Sequence, residues 1–148
     1  MPRKTCFLIG HHDTPVSVCA RLDAAIETHI TEYGVTEFIV GHYGAFDRFA
    51  ADALAEAKQR HPAITLRLLI PYHPSERPME LPEGFDGSIY PEGMETVPRR
   101  YAIARADEHM VRRCDCLICY DKYIVGNTHR FVAIAQRRGI SVTNLAAP

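Results

Sequence analysis

Four short segments hold most of the residues able to bind a ligand or move a proton. They are Gly10-His11-His12-Asp13-Thr14-Pro15, Gly41-His42-Tyr43-Gly44-Ala45-Phe46-Asp47, Pro71-Tyr72-His73-Pro74, and the run from Tyr120 to Arg130 with Gly126-Asn127-Thr128 near its end. Each follows an apolar run, and three of them lead into a helix-like pattern. A glycine at such a junction opens backbone amides to an anion, which a helix N-terminus also attracts. Gly10 is a candidate for that role, and it equally serves a tight turn. Gly41 and Gly44, three apart, would let a ligand approach the backbone closely. Asp47 falls in the first turn of the next helix. There it complements the helix dipole, worth about 0.3–1 kcal/mol, and could also bond a sugar hydroxyl or polarise a water. It is the candidate catalytic carboxylate. Across the chain, Gly126 makes a second glycine turn, and Asn127 or Thr128 can both cap a helix and donate to a phosphate. Arg130 either adds charge there or lies exposed.

The histidines invite a metal reading. His11 or His12, His42 and His73 all fall near the ends of strands that would lie about 4.8 Å apart. No carboxylate stands at ligand spacing beside them, so polar ligand contacts and ordinary turn histidines are the better readings, and no metal is expected. Cys114, Cys116 and Cys119 make a second apparent cluster. In a strand, period-2 geometry sends Cys116 and Cys119 to opposite faces, which keeps them from one ion. Five cysteines in a chain without secretory features predict buried thiols rather than a disulfide framework. With Tyr72 and Tyr120 added, the candidate ligand-binding set is Gly10, His11, His12, Gly41, His42, Gly44, Asp47, Tyr72, His73, Tyr120, Gly126, Asn127 and Thr128.

The elements that must position these residues follow from periodicity. Residues 5–10, 37–41, 65–71, 115–121 and 140–145 are short, nearly continuous apolar runs, as in parallel strands covered on both faces. Between the first two, Val18, Leu22, Ile26, Ile30 and Tyr33 recur at helical spacing over residues 15–33. Thr14 suits the N-cap, Pro15 the first turn and Gly34 a left-handed stop. Residues 46–60 and 128–138 repeat the helical pattern, the latter ending at Gly139, and a further helix is expected over 99–113. The alternation predicts one α/β domain over residues 1–148: a Rossmann-like, doubly wound parallel sheet of about five strands in the order 3-2-1-4-5. Its topological switch lies between strands 1 and 4, where open α/β sheets bind ligands outside the C-terminal strand ends. Residues 74–98 interrupt the rhythm with five prolines and three glycines, a long irregular loop that could serve as a lid.

Bulk properties narrow the function classes. A net charge of −1 gives no general electrostatic case for nucleic acid. Residues 75–97 carry six acids against one base, and residues 98–148 nine bases against four acids. That asymmetry reads as an acidic loop on a basic half or as two solvated surfaces. No apolar run approaches the roughly 20 residues of a membrane span, and no secretory signal is read at the N-terminus, so the expected compartment is the cytoplasm.

Taken together, residues 5–15 (TCFLIGHHDTP), 41–50 (GHYGAFDRFA), 90–103 (YPEGMETVPRRYAI) and the strand–turn–helix from Asp115 resemble the SLOG superfamily of DprA/Smf and LOG-type Rossmann-like proteins. Within it they resemble the small bacterial YpsA-like, DUF1273-type proteins. The resemblance spans nearly the whole chain. It implies a ligand related to nucleotides, such as AMP, ADP-ribose or NAD, with no cofactor required. It carries over Gly10 and His11, Gly44 and Asp47, and Gly126 with Thr128. Three features depart from the pattern: His12 replaces an arginine, Ala106-Asp107 replace Arg-Asn, and Asn127 follows Gly126 where a paired glycine is usual. An aspartate at 107 would repel a phosphate if it pointed into the site. The LOG turn also carries a glutamate three residues after its threonine, where this chain has Phe131. That argues against LOG-type cleavage through that residue.

Three functions remain open on this reading: a nucleotide-type binding or sensor domain, an N-glycosidic-bond hydrolase or transferase using Asp47, and a protein-interaction scaffold. The first expects a small-molecule partner and neither nucleic acid nor membrane. A homodimer is plausible for a domain of this type.

Overall fold

The computed structural model describes residues 2–147. In chain order it forms β1 (Thr5–Gly10), α1 (Cys19–Thr31), β2 (Glu37–Val40), α2 (Ala45–Arg60), β3 (Thr65–Leu69), β4 (Gly87–Ile89), α3 (Arg99–Val111), β5 (Cys116–Tyr120), α4 (Asn127–Arg137) and β6 (Ser141–Asn144). All strands pair in parallel in one sheet, ordered β4-β3-β2-β1-β5-β6. The expected five-strand order is present within it. The addition is β4, three residues inside the expected loop, too short to show any alternation in sequence.

Every residue of β2 and β5 is buried, as the unbroken apolar runs require. Alternate residues feed two cores. Cys6, Leu8, Cys116, Ile118 and Tyr120 pack with Leu22 and Ile26 of α1 and with Phe46, Ala50 and Leu54 of α2. Phe7, Ile9, Leu117 and Cys119 pack with Ala102, Ala106 and Met110 of α3 and Phe131 and Ile134 of α4. Cys116 and Cys119 therefore do point to opposite faces, and burial raises both thiols.

Residues 74–98 are more ordered than expected. Asp86 accepts the Leu66 amide at 2.8 Å and the Lys58 ammonium at 2.6 Å, which seats β4 against β3. Met94 is buried beyond it, while residues 75–83 stay irregular at the surface. One ion pair, Glu76–Arg99 at 2.7 Å, joins this acidic segment to the basic half. Thr14 does not cap α1. A short 3₁₀ turn, Val16–Val18, comes first, and the Thr14 hydroxyl donates back to the His11 carbonyl at 2.7 Å. No helix among the described residues is long and apolar enough to cross a membrane.

Gly10 is fixed by packing. A Cβ there would lie 2.4 Å from the Phe46 ring, so α2 can lie against β1 only because position 10 has no side chain. Gly10→Ala should cost about 1–3 kcal/mol by overpacking, measured as a lower denaturant midpoint. Adding Phe46→Leu should recover part of the loss.

Candidate functional site

The chain runs outward from β1 through β2, β3 and β4, then crosses back to place β5 on the other side of β1. The crevice at that reversal is floored by Leu8, Ile9, Gly10 and Gly41, and walled by the first turns of α2 and α4 and one side of α3.

The α2 wall begins at Gly44, whose φ of 109° and ψ of 177° suit glycine alone. A Cβ on Gly44 would meet the His12 backbone at 2.6 Å, and Ala45 N–H donates to the His12 carbonyl at 2.9 Å. Gly44 thus joins two loops, and it also lines a second depression with Gly41 and Asp47. One turn on, Asp47 folds back so that Oδ2 accepts the Tyr43 amide at 2.8 Å. It lies against Gly41, where a Cβ would come within 3.0 Å of that oxygen.

The α4 wall is built differently. Gly126 precedes it at φ 100° and ψ 176°, and a Cβ there would meet nothing within 4 Å. Neither Asn127 nor Thr128 is the cap, since both lie inside the helix and no side chain caps it. Among the described residues, the amides of Asn127, Thr128 and His129 have no hydrogen-bond acceptor. Unpaired amides at the positive end of an 11-residue helix are suited to an anion.

Asp107 enters from α3. It and Asp47 line the same cavity, about 60 Å³, with Tyr43, Ile103, Asn127 and Thr128. Burial pushes the Asp47 carboxyl up to about 7, against the Tyr43 amide that favours its charged form. Asp107 is driven well above the usual carboxylate range, first by burial and then by Asp47. Two such groups in one narrow cleft cannot both ionise readily, so the pair keeps a proton toward neutral pH. As pH rises through about 7, Asp47 ionises first, helped by the Tyr43 amide, while Asp107, with no hydrogen bond among the described residues, keeps its proton.

Of the sequence-predicted residues, this cavity gathers Gly10, Gly41, Asp47, Asn127 and Thr128, and Gly126 immediately precedes the last two. Others lie elsewhere. The His12 side chain is exposed. His42 faces the β3 side, lining one depression with Tyr72 and Arg77 and another with Gly41, Gly44 and Asp47, and burial lowers its basicity. Tyr72 carries the Arg77 guanidinium over its ring at 4.3 Å and donates to the Arg99 carbonyl at 3.2 Å. His73 is exposed and bonded to Ser75. Tyr120 is 7% exposed and belongs to the core shared with α1 and α2, so it is a packing residue. His11 lies across the crevice near Asp121. Among the described residues, no three His, Cys, Asp or Glu side chains are arranged to hold a metal ion.

Among solved structures, the chain is similar to DNA processing protein A (DprA) from Streptococcus pneumoniae, with a TM-score of 0.67 at 13% sequence identity. The match covers 95% of this chain and 49% of that one, so the chain spans about half the length of that protein. The fold is α/β and Rossmann-like. No protein-family model matches the chain, and no curated protein does. A shared fold does not carry a site with it, so the chemistry rests on the residues in the crevice.

Three of those residues escape a motif reading. Tyr43 and Ile103 have no chemical signature. Asp107 stands out in sequence as a departure from the SLOG pattern and as a charge beside the apolar stripe of Ala102, Ala106 and Met110, neither of which points to Asp47. Its position also turns the expected phosphate repulsion into pairing with Asp47.

The pair has a measurable consequence. The folded chain holds the Asp47 proton up to about pH 7, whereas an unfolded chain releases it near the ordinary 3.8, so this group's contribution to stability falls as pH rises through that window. Asp47→Asn keeps an acceptor for Tyr43 and removes the charge. It should stabilise the fold by roughly 2 kcal/mol at pH 8, with the gain vanishing below pH 4 in urea unfolding.

Proposed function

We propose that the chain binds a nucleotide-type small molecule across the β1/β5 crevice, with a phosphate on the open first turn of α4 and the sugar against Asp47 and Asp107. The observation that carries this reading is the α4 N-terminus, whose unpaired amides line the same cavity as the carboxyl pair. A 60 Å³ cavity takes only part of such a ligand. A second depression of about 290 Å³, sharing Gly41 and Asp47 with the first, offers room for the remainder. With Asp107 protonated, the cavity presents a donor to an anionic ligand. The likeness to DprA supports the SLOG resemblance. A net charge of −1 lends no support to carrying DNA processing over.

AMP, ADP, ADP-ribose, NAD and nucleosides form the test panel in a thermal-shift assay. A ligand at 100 times its Kd should stabilise the fold by about 2.7 kcal/mol. Thr128→Asp favours the helix dipole yet puts a negative charge at the phosphate position, so the variant should fold normally and lose the shift. A panel with no shift, or a shift that Thr128→Asp leaves intact, removes the reading.

A second reading, cleavage or transfer at an N-glycosidic bond, is favoured by the carboxyl pair itself. One protonated and one ionised carboxyl are what general acid and general base catalysis require. Here they come from α3 and α2, not from the LOG position occupied by Phe131. Release of free base from a bound nucleoside or nucleotide should then fall at least about 100-fold in Asp107→Asn, with the thermal shift retained. A ligand recovered unchanged from the parent protein leaves binding as the function.

A further inference from the structure

The ends of β1 and β5 hold a second polar cluster, apart from the carboxyl pair, in which a buried oxygen has no partner. Asp121 follows β5 with its side chain 6% exposed. Its Oδ2 lies 2.9 Å from His129 Nδ1, while its Oδ1 is buried without a hydrogen bond. His11 Nε2 stands 4.0 Å from that orphaned oxygen, on a side chain only 9% exposed. The nitrogen is already engaged: it accepts the Lys122 amide at 3.0 Å. An imidazole nitrogen that accepts carries no proton, so the ring is neutral with its proton on Nδ1. Tyr123 leans on the ring at 4.6 Å between centroids, and its hydroxyl donates to Asp13 at 3.1 Å.

We propose that His11 is a proton-operated latch on the segment between β5 and α4: neutral, it holds the Lys122 amide; protonated, it turns to Asp121 Oδ1 and releases the segment. An imidazolium has N–H on both nitrogens, so it would face the Lys122 amide donor to donor. Asp121 Oδ1 offers a charge-assisted alternative and is itself relieved of burial without a partner. Little packing resists the movement, because Ile124 is 84% and Val125 72% exposed. Gly126, with free space where a Cβ would stand, supplies a pivot at the α4 end.

The charged and titratable groups facing His11 are Asp13 and His12 from its own loop, Tyr120 of β5, edge-on at 5.8 Å between ring centroids, Asp121 just after it, Lys122 and Tyr123 from the released segment, and His129 from α4. Burial is the largest influence and lowers the basicity of His11, aided by His12 and opposed by Asp121 and Asp13. Release therefore comes on acidification, below the ordinary 6.5.

The test needs no ligand, so it stands or falls apart from the binding reading. Amide exchange at Lys122, corrected for the intrinsic rate at each pH, is followed with the imidazole nitrogen shifts of His11. At pH 8 the Nδ1–H tautomer and a protected Lys122 amide are expected. As His11 titrates, Lys122 should lose protection at least about five-fold, while Ile118 within β5 keeps its own. His11→Gln retains an acceptor that cannot be protonated and should hold Lys122 protection level over the same range. Protection that ignores the His11 titration, or the parent's pH dependence persisting in His11→Gln, overturns the latch.

Discussion

A carboxylate removed from water beside a second carboxylate is tolerated only if one of the two keeps its proton, and three elements hold Asp47 and Asp107 in that relation. The first turn of α2 supplies Asp47, one side of α3 supplies Asp107, and the glycine that follows β2, Gly41, leaves room by its missing side chain for an Asp47 oxygen. Natural folds avoid such an arrangement unless something is gained by it, because a neutral isostere would be less costly. The cost falls at the C-terminal edge of the sheet, beside the unpaired amides of α4, where this architecture meets its ligands. Packing and chemistry thus converge at Gly10, Gly41 and Phe46. They bring α2 close enough for its first turn to reach the crevice.

Much of the fold was legible because its strands are buried on both faces and its helices are punctuated. The six residues of β1 read correctly to the residue, Gly34 takes the left-handed conformation expected after α1, and Gly139, read as the stop of α4, takes one too. Failures have local causes. Thr14 has the right chemistry for a cap, but a 3₁₀ turn intervenes and its hydroxyl turns back to His11. Tyr120 has the strand-end position of a ligand residue, but its alternation with Ile118 and Cys116 assigns it to the core.

The candidate site was legible at its backbone and illegible at its chemistry. Glycine turns mark crevice edges, and Asp47, Asn127 and Thr128 follow from them. Their purposes were less accessible: Gly10 and Gly44 serve close packing, whereas Gly126 alone among the three leaves open space. Asp107 lies 60 residues from Asp47 in sequence, and α3 and α2 cover opposite faces of the sheet, so only their meeting at its C-terminal edge gives the two a common environment. A resemblance that treats position 107 as a lost phosphate contact misses this, because a protonated carboxyl donates where a charged one repels. The same three-dimensional logic places His11 against Asp121 rather than with His42 or His73.

The most direct test of the central claim is the titration of the two carboxyl groups by side-chain carbon NMR, in the unliganded protein. The account predicts a coupled, two-step titration in which the pair still holds one proton close to pH 7, with Asp107 protonated the more persistently. Independent titration of both groups near the ordinary 3.8 would contradict it, and would leave the crevice with two fixed negative charges and no proton to give.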